Sequence, residues 1–210
     1  MARRSPTEPR RLPTQARAQS TVQKILKAAT QVLERLGYDD TTTNHIARQA
    51  KISVGSLYQY FPSKDAIVLA LWEERIETDY LEASQRLEEL KGLSIEEFFS
   101  TTLRHHFESF VKNARLKVEL LRVCPRLVDN KRVLDVHLRF AGLIEALLEH
   151  HRERIHVKDP ALVSQILVNS IMGNIQTYAG SDPKRLADPK FQDEVVRLCL
   201  CFIKDGKGGT

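Results

Sequence analysis

Residues 42–64, TTNHIARQAKISVGSLYQYFPSK, decide the fold. They read as two short helices joined by a tight turn. Thr42 or Thr43 can cap the first helix, because a hydroxyl there accepts from the free N–H groups of the opening turn. Ile46, Ala47 and Ala50 share one face of it, and the two alanines are small enough for a second helix to cross closely. Lys51-Ile52-Ser53 forms the turn, with Ile52 inward and Ser53 placed to cap the next helix. That helix, Val54 to about Tyr60, has only two turns and cannot stand alone in water. Pro62 closes it, and Ser63 can cap the helix after it. Two short helices at a tight turn match a helix-turn-helix, whose second helix enters the major groove of DNA.

On that second helix, Leu57 and Phe61 face back toward the protein. Val54, Gly55, Ser56, Tyr58, Gln59 and Tyr60 are left for the groove or its rim. Gln59 is the candidate to read adenine through N6 and N7, and Val54 the one to meet a thymine methyl. Tyr58, Tyr60 and Thr43 can donate to phosphates, beside Thr42 and Asn44 at the opening of the first helix. Gly55 lowers helix stability by about 1 kcal/mol against alanine, which fits a close approach to DNA. Lys64 stands at the first turn of the next helix, where the macrodipole favours an acid. A base makes sense there if a phosphate occupies the helix end. The alternative for each tyrosine is half-buried packing, and for Lys64 an ordinary exposed lysine.

Upstream, Val22, Ile25, Leu26, Ala29, Val32, Leu33 and Leu36 recur at three- and four-residue steps, predicting a helix from Ser20 or Thr21 to Leu36 that ends at Gly37. Residues 1–19 hold three prolines and five arginines and read as a disordered basic arm. Arg10, Arg11 or Arg17 could lie along phosphates or in a minor groove. Taken together, T-T-x-x-I-A-x-x-A (42–50) and I-S-V-G-S-L-Y-Q-Y-F-P-S-K (52–64) resemble the DNA-binding signature of the tetracycline-repressor (TetR) family of bacterial regulators. With the helix before them, the resemblance spans roughly residues 17–72. Lys51 departs from it, standing where many relatives carry glycine. The resemblance also implies a phosphate contact at Lys64.

Charge agrees with a polyphosphate partner. Through Asp65 there are eleven Lys/Arg against five Asp/Glu, an excess larger than the +5 of the whole chain. Each phosphate neutralised by such a cation releases counterions. The apolar runs fall far short of the ~20 residues that cross a bilayer, and the arginine-rich start lacks the apolar core of a secretory signal. A cytoplasmic protein with no membrane association is expected. Cys124, Cys199 and Cys201 have no metal-ligand or disulfide spacing, and Cys199 and Cys201 read as buried packing residues. His105-His106 and His150-His151 lack the three- or four-residue step that would set two imidazoles on one metal, so no metal is expected. No cofactor is indicated either.

The rest of the chain is helical in pattern, with no period-two alternation, and about nine helices are expected in an all-α protein. A long helix runs from Lys64 to about Leu90. Ser94 and Glu97 form a capping box opening Ile95 to about Lys112. A further helix is expected to stop near Val123 because of Pro125. Others run from about Lys131 to Arg154, from Asp159-Pro160, and from Asp188-Pro189 to about Lys204. The domains expected are a basic arm over 1–19, a three-helix DNA-binding domain over 20–63, a helical ligand-binding and dimerisation domain over 64–204, and a flexible tail over 205–210.

The resemblance implies that this second domain binds a small molecule and dimerises through its last two long helices. Trp72, Phe98, Phe107, Phe110 and Phe140, with Asn169 and Met172, are the candidates to line a cavity. Plain core is the alternative for the aromatics. Leu162, Ile166, Ile175 and Tyr178 on one helix, with Phe191, Val195, Leu198 and Phe202 on the other, are the candidates for the interface of a homodimer. The expected activity is that of a ligand-responsive repressor released from a double-stranded, pseudo-palindromic operator by a small-molecule effector. No P-loop, G-x-S-x-G, H-E-x-x-H or dinucleotide turn supports catalysis. A helical enzyme or small-molecule carrier with an incidental basic head is the competing reading, and a duplex-binding titration separates the two.

Overall fold

The structure, a computed structural model, describes residues 16–112, 114–155 and 157–204. The basic arm before Ala16 and the tail after Lys204 lie outside the described residues. Every regular element among the described residues is helical. The α-helices are α1 (Ala16–Leu36), α2 (Thr43–Gln49), α3 (Val54–Tyr60), α4 (Lys64–Leu90), α5 (Ile95–Lys112), α6 (Ala114–Leu127), α7 (Asn130–His150), α8 (Pro160–Ser181), α9 (Pro183–Ala187) and α10 (Pro189–Lys204). A 3-10 turn, Arg152–Arg154, comes after α7.

Several of these bounds differ from the expected ones. The helix α1 begins at Ala16, so residues 16–19 belong to it and not to an arm. Pro125 does not stop α6. A proline near the end of a helix removes one donor, and the Val128 N–H still reaches the Cys124 carbonyl at 2.8 Å, carrying the pattern past it. The helix expected to reach Arg154 ends at His150. A five-residue helix, α9, has no counterpart among the expected ones; Leu186, fully buried, anchors it, and Gln192 Nε2 donates to the Leu186 carbonyl at 2.8 Å.

The chain forms two compact units. Among the described residues, one comprises those up to Ile76 together with Arg115–Asp129; the other comprises those of Glu77–Ala114 and those from Asn130 on. The helix α6 therefore belongs with the DNA-binding helices, although the sequence pattern puts it in the second domain. The physical reason is a set of contacts at the carboxyl end of α1. The Glu119 carboxylate accepts from the Tyr38 N–H at 2.8 Å, a charge-assisted bond that satisfies a donor just past the helix end. Arg122 bridges Glu119 and Asp39, each at 3.0 Å, and Arg115 donates to the Arg35 carbonyl at 3.3 Å.

In this first unit, Ile25, Leu26, Ala29, Val32 and Leu33 of α1 are buried with Ile46, Ala47, Leu57, Phe61 and Ile67. Gly37 takes φ +75, the left-handed turn that ends α1, and its N–H bonds the Leu33 carbonyl at 2.8 Å. In the second unit, α5 packs on α9 and α10, and α7 on α8. Phe107 stacks edge-on with Phe191, and Phe191 with Tyr178, at centroid distances of 6.0 and 5.1 Å. Burial pushes the Cys124 thiol up to about 12 and that of Cys199 to about 11. Cys201, expected inside, is exposed. Among the described residues no helix is long and apolar enough to cross a membrane.

Candidate nucleic-acid interface

The two short helices are held by their caps. The Thr42 hydroxyl accepts from the His45 N–H at 3.2 Å, opening α2, and Ser53 Oγ accepts from the Ser56 N–H at 3.0 Å, opening α3. Ser63 Oγ accepts from the Ala66 N–H at 3.1 Å at the start of α4. Leu57, fully buried, and Phe61 pin one side of α3, so the opposite side is presented to solvent by construction.

On that outer side, Gly55, Tyr58 and Gln59 are exposed, Tyr58 to 41%. Val54, Ser56 and Tyr60 are half-buried. Asn44 and Thr42 are exposed at the opening of α2. Thr43 Oγ1 and the Tyr58 hydroxyl lie 3.1 Å apart, so two of the expected phosphate donors stand side by side, one from each helix. Ser56 Oγ is 2.8 Å from Ser53 Oγ and so shares in the cap of its own helix. Arg17 falls in the first turn of α1, with its side chain outside the described residues.

Lys64 has partners within the protein itself. Its ammonium is not free: Nζ donates to the Tyr38 carbonyl at 2.6 Å and sits 3.9 Å from the centre of the Tyr38 ring. The Tyr38 hydroxyl in turn donates to the Asp65 carboxylate. Burial first, then the bond to Asp65 and the charges of Asp65 and Asp39, push the Tyr38 phenol up to about 12. Lys64 is therefore tied to the turn after α1, with two ammonium protons left for a phosphate.

The residues expected around a ligand cavity belong to both units. Trp72 is half-buried in the first unit. Phe98, Phe107 and Phe110 are buried in the second. Phe140 meets Tyr80 edge-on at 5.7 Å, Asn169 Oδ1 is 2.8 Å from His137 Nδ1, and Met172 is half-buried. A cleft of about 360 Å³ in the second unit is bordered by Glu82, Arg86 and Glu89 of α4 and by His105 and Glu108 of α5.

The interface candidates divide in two. Leu162, Ile166, Leu198 and Phe202 are exposed, as an unpaired apolar face requires. Ile175 and Val195 are not available: both are buried in their own subunit, at 1% and 5% exposure, because α8 and α10 use those positions for the internal core. Tyr178 and Phe191 are half-buried and stacked on each other. A feature of the first unit that sequence reasoning missed is a groove bordered by Lys24, Lys27 and Lys51. The three-residue step between the first two lysines was the available signal.

Comparison with known proteins agrees with this geometry. Residues 25–71 match the family model for bacterial regulatory proteins of the tetR family. Residues 94–202, more than half the chain, match the tetracyclin repressor-like C-terminal domain. The fatty acid metabolism regulator protein of Bacillus subtilis (strain 168) is 24% identical over 171 residues, covering 77% of this chain and 84% of that protein. The A-factor receptor protein of Streptomyces griseus is 41% identical over 64 residues, 30% of this chain and 23% of that protein. Among solved structures, a TetR-family regulator from Pectobacterium atrosepticum superposes with a TM-score of 0.71 at 20% identity, covering 91% of this chain and 98% of the other. Thermus thermophilus FadR, a TetR-family repressor in complex with lauroyl-CoA, gives 0.65 at 20% identity, covering 85% and 93%. With a helix-turn-helix head and both family domains matched, the chain belongs to the TetR family of DNA-binding transcription regulators.

Proposed function

We propose that the chain is a ligand-responsive repressor that binds a pseudo-palindromic operator as a homodimer and leaves it when a small molecule binds the second unit. The observation that carries this reading is α3 itself, capped by Ser53, fixed by Leu57 and Phe61, and exposed along Gly55, Tyr58 and Gln59. In this reading Gln59 reads a base, while Thr43 and Tyr58 take phosphates as a pair, joined by Tyr60, Asn44, Thr42 and the remaining donors of Lys64. Two such heads roughly 34–36 Å apart read two half-sites. The helix α4 is unbroken for 27 residues, about 40 Å at 1.5 Å per residue, and belongs to both units. An effector that prefers one arrangement of α4 shifts operator affinity by its differential affinity for the two states. The lauroyl-CoA complex of the Thermus relative and the fatty-acid role in the name of the Bacillus one support an effector with a long apolar chain. The protein works beside the chromosome, in the cytoplasm, and carries out no catalytic step.

Selection of bound duplexes from a random pool, with and without acyl-CoA thioesters of graded chain length, tests the whole reading. Gln59→Ala is expected to lose about 1–3 kcal/mol of discrimination at one position of each half-site while non-specific binding is kept. Recovery of the same consensus by this variant would remove Gln59 from the reading. Gly55→Ala separates helix stability from DNA approach. A Cβ there meets only Ser53 Oγ, at 3.9 Å, so the free protein tolerates it and gains roughly 1 kcal/mol of helix propensity. A higher melting temperature with weaker operator binding is expected; unchanged binding would mean that DNA does not approach Gly55.

A further inference from the structure

Three lysines surround one groove on the first unit. Lys24 and Lys27, one helical turn apart, come from α1, and Lys51 comes from the turn between α2 and α3. The groove measures about 330 Å³, and its floor includes Ala28, Ala50, Ile52 and an amide pair, Gln49 Nε2 donating to Gln31 Oε1 at 2.6 Å. All three lysines are exposed, and among the described residues none has a carboxylate partner. Like charges held around one concavity repel one another, and an anion placed between them relieves that repulsion.

The backbone of Lys51 adds a second, independent observation. Its φ is +55, and it is the one non-glycine residue with positive φ among the described residues. The turn closes normally around it: the Ala50 N–H reaches the Ile46 carbonyl at 2.8 Å and the Ile52 N–H the Ala47 carbonyl at 3.0 Å. This is the position after a helix where glycine is favoured and a Cβ is strained. A lysine held there against its backbone preference points to its ammonium as the reason, since strain of this kind persists where a function needs it.

The groove also lies next to the reading head. Lys51 precedes Ser53, the cap of α3, by two residues, a reach of at most about 7 Å along the chain. We propose that this groove holds the phosphodiester backbone of DNA flanking the bases that α3 reads, giving each subunit a phosphate-binding surface separate from the Thr43–Tyr58 pair. The proposal rests on α3 lying in the major groove. Its partner is defined by chemistry: a continuous strand of phosphates, bound without regard to sequence.

The test uses the full-length protein, a random-sequence duplex and a duplex recovered by selection from a random pool. Dissociation constants are measured over a range of salt for wild type, for K24Q/K27Q/K51Q and for Lys51→Gly. The slope of log K against log salt is expected to fall by about 0.9 for each phosphate no longer neutralised, and affinity at 0.15 M salt by on the order of fivefold for each. The ratio of affinities for selected and random duplex should not change. Lys51→Gly is expected to melt higher, by roughly 2–4 °C, as the strain is relieved, and still to bind DNA more weakly. A triple variant with the wild-type salt slope overturns the proposal, and so does a Lys51→Gly protein that binds as tightly as wild type. If wild type shows no preference for the selected duplex, the regulator reading fails instead, while the slopes on random duplex still decide the groove.

Discussion

Leu57→Ala is expected to abolish operator binding by releasing the recognition helix, not by removing a contact with DNA. The helix α3 has seven residues, Leu57 is its one buried side chain, and a helix of two turns does not persist without tertiary packing. Truncating a fully buried leucine costs about 3–5 kcal/mol, from the lost transfer energy and the cavity left behind. That is a large part of the roughly 5–15 kcal/mol that holds a typical domain together. The expected result is a midpoint of thermal unfolding lowered by about 10 °C and loss of binding to both selected and random duplexes at 37 °C, with binding recovered on cooling. Val54→Ala, at a half-buried position on the same helix, is the control and should keep most of the stability. A Leu57→Ala protein with wild-type unfolding and no DNA binding would mean that this side chain faces outward.

How much of this is legible in the sequence depends on the range of the interaction that fixes each feature. Caps are local chemistry, so they can be read directly. Thr42, Ser53 and Asp159 cap the helices assigned to them, and Ser94 with Glu97 makes the reciprocal pair at the start of α5. The bounds of α4 and α5 derive from the same signals. Burial is different, since it depends on which distant segment arrives. The helix α8 is apolar on nearly every side, so its pattern does not say which face meets its own core and which is left open. Ile175 turns inward and Ile166 outward. The phenylalanines of α5 carry the same ambiguity: Phe98, Phe107 and Phe110 are buried, as both a core position and a cavity wall require. The tie between Glu119 and the turn after α1 has no local sign at all, because 81 residues separate Glu119 from the Tyr38 N–H it accepts. Lys64 combines both ranges: its place at the amino end of α4 is legible locally, while the Tyr38 carbonyl that accepts from it lies 26 residues away.

Placing aspartate at both Leu198 and Phe202 is expected to split the proposed dimer without unfolding the subunit. These side chains lie four residues apart on α10 and are exposed to 53% and 41%, and Leu162 and Ile166, four apart on α8, are exposed to 52% and 41%. Large apolar side chains grouped on one face are unfavourable in water, by about 1.5–3 kcal/mol each relative to full burial. A two-fold axis would cover each with its counterpart. Two substitutions per chain put four carboxylates into that doubled face, where each must be desolvated beside like charges. Because the positions are already open in the subunit, helical content and unfolding midpoint should stay close to wild type. Sedimentation should shift from dimer to monomer. Operator affinity should fall by roughly 10²–10⁴, since two linked heads bind as one and two separate heads do not. Affinity for a single half-site should be unchanged. Val195→Ala gives the opposite pattern: that side chain is buried within the subunit, so its truncation should lower the unfolding midpoint and leave the oligomer intact. If the double aspartate variant still sediments as wild type does, the copies pair through another surface. The exposed leucines Leu134 and Leu138, four residues apart on α7, are then the next apolar pair to test.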